Sequence, residues 1–296
     1  MKPYACLAPR TRIAAASFDI PVGACDTHAH VISDDHVAYP LVANRAFEPS
    51  PATAEMYLDM LRRTGMTRGV LVQVSVYGSD NSYLLHVLSR HQNMLRGVVV
   101  IGPDVADEEL HGMHALGVRG ARINVLVSGG VGFDALETLA ARVAPLGWHL
   151  QLFMDVRDMP AMMPRLTRLP CPCVVDHIGH MPARLTTAHP GFQALAHMVA
   201  EYGWWVKLSG AFRISDDHFA YRDVTPMAQA LVALAPDRMV WGSDWPHVNL
   251  RDNMPDTGDL RNLLPAWAPD PLQRHRILVD NPARLYGFPE LVQPTT

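Results

Sequence analysis

Eight short apolar runs, separated by helical patterns, constrain this 296-residue chain more than any other feature. They occupy residues 23–30 (GACDTHAH), 69–75 (GVLVQVS), 96–102 (RGVVVIG), 118–126 (VRGARINVL), 148–155 (WHLQLFMD), 173–179 (CVVDHIG), 205–210 (WVKLSG) and 239–244 (MVWGSD). Most are rich in Val, Ile and Leu, as strands buried on both faces of a parallel sheet are. Between them, PATAEMYLDMLRRTG ends in Gly65, a residue suited to a helix C-cap. FDALETLAARVAPLG puts Leu136, Leu139, Val143 and Leu146 on one stripe, and Asp134 with Glu137 makes a helix-start signal. PGFQALAHMVAEYG and TPMAQALVALAPD repeat the form. Strands alternating with helices imply a parallel sheet with right-handed crossovers. Eight such units in under 300 residues predict an α/β chain closed as a (β/α)8 TIM barrel, with an open doubly wound sheet as the alternative. The expected organisation is an N-terminal arm over 1–22, a single barrel domain over 23–288 and a tail over 289–296.

Other classes lack their signals. No G-x-G-x-x-G follows the first strand and no P-loop motif occurs. A net charge of −4, a pI near 6.4 and dispersed Lys and Arg argue against nucleic acid or an anionic membrane as partner. No apolar run is long enough to cross a bilayer. The apolar stretches of the arm are broken by Pro3, Pro9, Arg10 and Arg12, so no secretory signal is read and a cytoplasmic protein is expected. Cys6, Cys25, Cys171 and Cys173 have neither zinc-site nor thioredoxin spacing and fit packed thiols in a reducing compartment.

A barrel gathers its reactive groups at the C-terminal ends of its strands. In the first run, GACDTHAHVIS, alternation along an extended strand puts His28 and His30 on one face together with Asp26. One H-x-H is a weak motif. It gains weight from the other run ends: Ser75, Arg122 with Asn124, Asp176 with His177 and His180, Arg213, and Asp244. Blander readings cover the remaining polar residues. Lys207 reads as an edge lysine with its head in solvent. Asp26 and Asp176 read as orienting groups, Asp34, Asp35 and His36 as a solvated loop, and His111, His114 and His218 as surface residues. Three histidines and a carboxylate at one mouth allow two chemistries: activation of a water, or capture of a divalent ion.

The combination of H-x-H on the first strand with QVSVYGSDN, GARIN, GWHLQLF, DHIGH and WGSDWPHVN resembles the amidohydrolase superfamily, in its amidohydrolase 2 branch. The likeness runs from Gly23 to the NPARLYGF near the C-terminus, and is greatest to the 2-pyrone-4,6-dicarboxylate lactonase group. The resemblance implies that Asp244 is the general base on the hydrolytic water. His28, His30 and His177 would surround and polarise the reacting carbonyl. Arg122 and Arg213 would hold substrate carboxylate, and Ser75, Tyr77, Asn249 and His180 would complete the pocket. Asp244, where an isomerase relative carries Asn, implies hydrolysis rather than isomerisation. The chain also departs from the lactonase pattern. It has Ser128, Gly129 and Gly130 in place of a second arginine after Arg122, Phe153 and Phe47 in place of tyrosines, and His180 in place of an arginine. The expected substrate is therefore a small carboxylated lactone with fewer negative groups, or one whose second carboxylate rests on the amides of Gly129 and Gly130. Trp241 and Trp245 are expected to desolvate Asp244 and raise its pKa.

The leading expectation is a lactonase of pyrone-, muconolactone- or sugar-lactone-like substrates, working without a metal. One alternative is a metal-dependent decarboxylase of the same superfamily, in which His28, His30, His177 and Asp244 hold one zinc or manganese ion. The other is a non-catalytic small-molecule binding protein. The expected partner is the small lactone or carboxylate itself, with a homo-oligomer possible.

Overall fold

In the computed structural model, which describes residues 3–127 and 130–289, each of the eight runs coincides with one parallel strand to within one or two residues at its start and a few at its end. They are β1 Cys25–Ala29, β2 Arg68–Val72, β3 Leu95–Val99, β4 Val118–Asn124, β5 His149–Phe153, β6 Cys173–Val175, β7 Trp205–Leu208 and β8 Met239–Trp241. Each pairs with the next in sequence. β8 meets β1 through single bonds: Thr27 Oγ1 donates to Trp241 O at 2.8 Å, Asp244 N to His28 O at 2.8 Å, and His30 N to Trp245 O at 2.7 Å. The chain is therefore a (β/α)8 TIM barrel rather than an open sheet.

The period of two along each strand fills the interior in layers. At the N-terminal end, Cys25, Val70, Val72 and Val98 pack on Tyr286 and Phe288 from the C-terminal segment. Above this apolar plug lie His149, Gln151 and Lys207, and then Arg122, Asp176 and His28 toward the C-terminal mouth. Lys207 contradicts the solvent-edge reading. It is two residues along β7 from Trp205 and points inward, fully buried. Its Nζ donates to Thr27 O at 2.8 Å and Gln151 Oε1 at 2.7 Å.

The outer helices bury their stripes as the periodicity requires. Helix α1, Ala54–Thr64, buries Tyr57, Met60, Leu61 and Thr64 at helical spacing and ends on Gly65 in the left-handed region (φ +79°). Burial of Met60 and Leu61 stabilises the helix on the barrel by about 1.5–3 kcal/mol each. The start signal at Asp134 and Glu137 forms no cap. A 3₁₀ turn over Phe133–Ala135 precedes the helix Leu136–Val143, and Arg165 takes the Glu137 carboxylate at 2.6 and 2.7 Å. A bidentate guanidinium outcompetes a backbone N–H for that acceptor.

The arm is tied to the barrel. Tyr4–Ala5 pairs in parallel with Phe47–Glu48, and Ala14 N donates to Asp256 Oδ1 at 3.0 Å. Residues 290–296 of the expected tail lie outside the described residues. Among the described residues, no helix is long and apolar enough to cross a membrane.

Candidate active site

Asp244 stands just beyond β8, buried, with its backbone in the left-handed region (φ +60°). His177 (φ +53°) and His180 (φ +52°), just beyond β6, share that conformation. Non-glycine residues persist there only where their surroundings over-determine them, and such residues cluster at functional sites. For Asp244 the restraint comes from Asp26 of β1. Its carboxylate accepts from Ser243 N at 2.7 Å, Ser243 Oγ at 2.6 Å and His28 N at 3.2 Å.

Three imidazoles face the Asp244 carboxylate. Its Oδ1 lies 3.8 Å from His28 Nε2 and 3.6 Å from His30 Nε2, and its Oδ2 lies 3.8 Å from His177 Nε2. Each ring is anchored by its far nitrogen. His28 Nδ1 is 3.2 Å from Asp176 Oδ1 and 3.3 Å from Lys207 Nζ, and His177 Nδ1 is 2.9 Å from Ser209 Oγ. His30 Nδ1 donates to Val72 O at 2.7 Å. A carbonyl only accepts, so neutral His30 carries its proton on Nδ1 and turns a lone pair at Nε2 toward Asp244. Burial pushes the pKa of all three rings down, His28 to about 3. They are neutral at pH 7.

The carboxylates are ionised instead. Burial opposes the charge on Asp244, but Arg213 Nε, 2.5 Å from Oδ2, leads the contacts that outweigh it, and the group sits well below the usual carboxylate range. The upward shift expected from Trp241 and Trp245 is thus overturned by an adjacent cation. Asp176 behaves alike: burial is outweighed by the His28 ring, Arg122 and Lys207. Lys207 itself is lowered to about 8 by burial.

A cavity of about 170 Å³ opens over these groups, below the ~300–1,000 Å³ of pockets for drug-sized ligands. His30, His177, Asp244, Arg122, Arg213, Ser75, Asn249 and His180 all line it, as do Phe47 and Phe153. His28 lies just beneath. Tyr77 does not reach it. The 3₁₀ turn Ser75–Tyr77 rotates that side chain into the wall, where its hydroxyl accepts from Ser33 N at 2.9 Å. Both arginines, expected to hold substrate carboxylate, also spend donors on protein oxygens. Arg122 gives Nε and Nη2 to Asp176 Oδ2 at 3.3 and 3.1 Å, and Arg213 gives Nη2 to Val248 O at 3.2 Å besides its bond to Asp244. Among the described residues, Nη1 of neither guanidinium has a hydrogen-bond partner. Ser128 and Gly129 lie outside the described residues.

Ser209, Gln151 and Lys207 position the site and were not read as functional in the sequence. The signal available was their place on or just beyond strands β5 and β7, which flank β6 and the Asp176 that follows it. His247, in the WGSDWPHVN motif, is also buried, with Nε2 3.0 Å from Thr257 Oγ1 and its ring against Phe212.

The same donor set bears on a divalent ion. Ligand atoms of His28, His30 and Asp244 lie within 4.8 Å of one another, as do those of His28, Asp176 and His177. Among the described residues, His28 Nε2 and Asp244 Oδ1 are buried without a hydrogen-bond partner. Imidazole and carboxylate donors with orphaned atoms fit zinc or manganese. They equally fit a water that donates to the carboxylate and to an imidazole lone pair. Arg213 competes with any cation for Asp244.

A barrel whose first strand carries two histidines, facing a third histidine and a final aspartate, defines a class of barrel hydrolases. This chain belongs to the amidohydrolase family, whose model matches residues 25–288. A 4-sulfomuconolactone hydrolase from Rhizobium radiobacter is 37% identical over 287 residues, covering 95% of this chain and 96% of that protein. The 2-pyrone-4,6-dicarboxylate hydrolase of Comamonas testosteroni is 35% identical over 287 residues, covering 93% of each. An apo crystal structure of an Agrobacterium tumefaciens protein superposes with a TM-score of 0.87 at 28% identity, over 94% of this chain and 100% of that one.

Proposed function

We propose that this protein hydrolyses the ring ester of a small carboxylated lactone, with Asp244 as the base on water. The observation that carries the reading is the convergence of His28, His30 and His177 on an ionised Asp244 beneath a cavity edged by two arginines. Relatives named as lactone hydrolases support it.

The water sits between Asp244 Oδ1 and the lone pair of His30. Asp244 takes one proton as the water oxygen bonds to the lactone carbonyl carbon. A positioned base of this kind contributes ~10²–10⁴ in rate. His177, with Ser209 donating to its Nδ1, carries its proton on Nε2 and donates to the developing oxyanion, a contact worth roughly 3 kcal/mol. When the tetrahedral intermediate collapses, the C–O bond of the ring breaks and the leaving oxygen receives the proton held by Asp244. Water has then been added across the ester, giving a hydroxy acid. Arg122 Nη1 holds the substrate carboxylate and fixes the ring against the base. Arg213 keeps Asp244 ionised at neutral pH, at some loss of basicity. Ser75, Asn249 and His180 fill the remaining polar lining.

A divalent ion, where one binds, would be held by His28, His30, His177 and Asp244 and would supply a Lewis acid and an acidified water. The same donors would serve a decarboxylase. Metal analysis of the purified protein, with assays before and after chelation, separates the readings. Full ring-opening activity after chelation is expected, and loss restored by zinc or manganese would contradict the metal-free scheme. The activity itself is tested on a panel of sugar lactones, muconolactones and pyrone carboxylates. Turnover of at least one carboxylated lactone is expected, and an inert panel would refute the proposed function.

A further inference from the structure

The cavity holds its charges in balance. Arg122 is matched by Asp176 and Arg213 by Asp244, and two of the three guanidinium nitrogens of each are committed to protein oxygens. Asn124 Oδ1 is taken by the amides of Leu126 and Val127. His180 is pushed toward its neutral form by burial and by Arg213. Among the described residues two Nη1 groups are left without a partner, enough for one carboxylate. Much of the remaining lining is apolar: Phe47, Val74, Leu126, Val127 and Val248. A second anionic group pressed on that lining would lose its hydration without gaining a charged partner among the described residues. An alkyl group there would leave water for a surface that welcomes it.

We propose that the cavity takes a lactone bearing a single carboxylate and an alkyl substituent on the ring, the substituent seated on Phe47, Val74, Leu126, Val127 and Val248 where a second anionic group would otherwise bind. This rests on the lactone-hydrolase reading of the same site. It sets the chain apart in substrate from its sulfomuconolactone and pyrone-dicarboxylate relatives, whose named substrates carry a second anionic group.

Three matched compounds test it: 4-methylmuconolactone, muconolactone and 4-sulfomuconolactone, which differ only in the group at one ring carbon. The expected kcat/KM for the methyl compound is about 10-fold above the unsubstituted one, the usual gain for one methyl in an apolar pocket. It should exceed the sulfonate by roughly 100-fold or more, since a desolvated charge without a partner is rejected strongly. Leu126 is 37% exposed, so Leu126→Arg leaves the core intact. That variant should raise the sulfonate-to-methyl ratio of kcat/KM by about 10-fold. A sulfonate turned over as well as or better than the methyl compound overturns the proposal. Calorimetric titration of the same compounds reads the subsite without turnover. If none is hydrolysed but the methyl compound binds tightest, the activity fails and the subsite stands. If the sulfonate binds tightest, or none binds, the subsite fails.

Discussion

Asp244 is pulled in opposite directions by its surroundings. Burial favours its proton, while Arg213 at 2.5 Å favours its charge, and the charge wins. In the proposed hydrolysis Asp244 would therefore act as an ionised but weakened base, held in fixed geometry against His28, His30 and His177. Arg122 would do different work: it is paired with Asp176 and lines the cavity, where the proposed reading gives it the substrate carboxylate. Arg122→Met should raise KM for carboxylated lactones by about 10-fold or more with a smaller change in kcat, measured by steady-state kinetics. A fall in kcat alone would move Arg122 from binding into the chemical step. At this scale the sequence was only partly legible. Strand-end positions marked His28, His30, Arg122, His177, Arg213 and Asp244. How the guanidiniums are spent was hidden, because it depends on partners 31 to 54 residues away along the chain.

At the scale of elements, the site depends on two close approaches. Asp26 of β1 clamps the turn after β8 through Ser243, joining the first strand to the last. The turn after β7 uses Gly210 in the left-handed region (φ +63°), where an added Cβ would lie 2.7 Å from the His177 ring. Gly210→Ala should displace that imidazole and lower kcat by about 10², with the circular dichroism spectrum retained, because an ångström of misplacement is costly in a fixed site. Unchanged kcat would show that His177 takes no part. The eight strands were legible because their apolar runs are continuous. Tyr77, which the resemblance puts in the pocket, sits instead in the wall because the 3₁₀ turn Ser75–Tyr77 carries its hydroxyl to Ser33 N. The helix start at Asp134 failed because Arg165, outside the local window, claims Glu137.

Across the whole molecule, stability carries the signature of buried neutral histidines. Burial lowers His28 and His149 to about 3 and His247 to about 4, against about 6.5 in the unfolded chain. Below pH 6.5 the unfolded chain takes up protons that the native barrel refuses. Their contribution is thus intact above that pH and is lost as pH falls toward 4, by at most ~1.4 kcal/mol per pH unit for each ring. Asp26, raised to about 6 by burial, opposes this with one proton over the lower part of that window. Three rings outweigh one carboxylate, so Tm should fall between pH 7.5 and pH 5 in a calorimetric series, and a rising Tm would contradict the burial. The barrel as a whole was the most legible level, since eight apolar runs alternating with helical patterns give the strand count, while closure rests on the bonds between β8 and β1. The inward burial of Lys207 was not, because a lone lysine is ordinarily a surface residue.

The most direct test is the turnover of Asp244→Asn on a lactone that the native protein opens. Water activation by the ionised carboxylate requires kcat to drop by at least ~10² with KM nearly unchanged and the fold intact. A variant that keeps native turnover would contradict it.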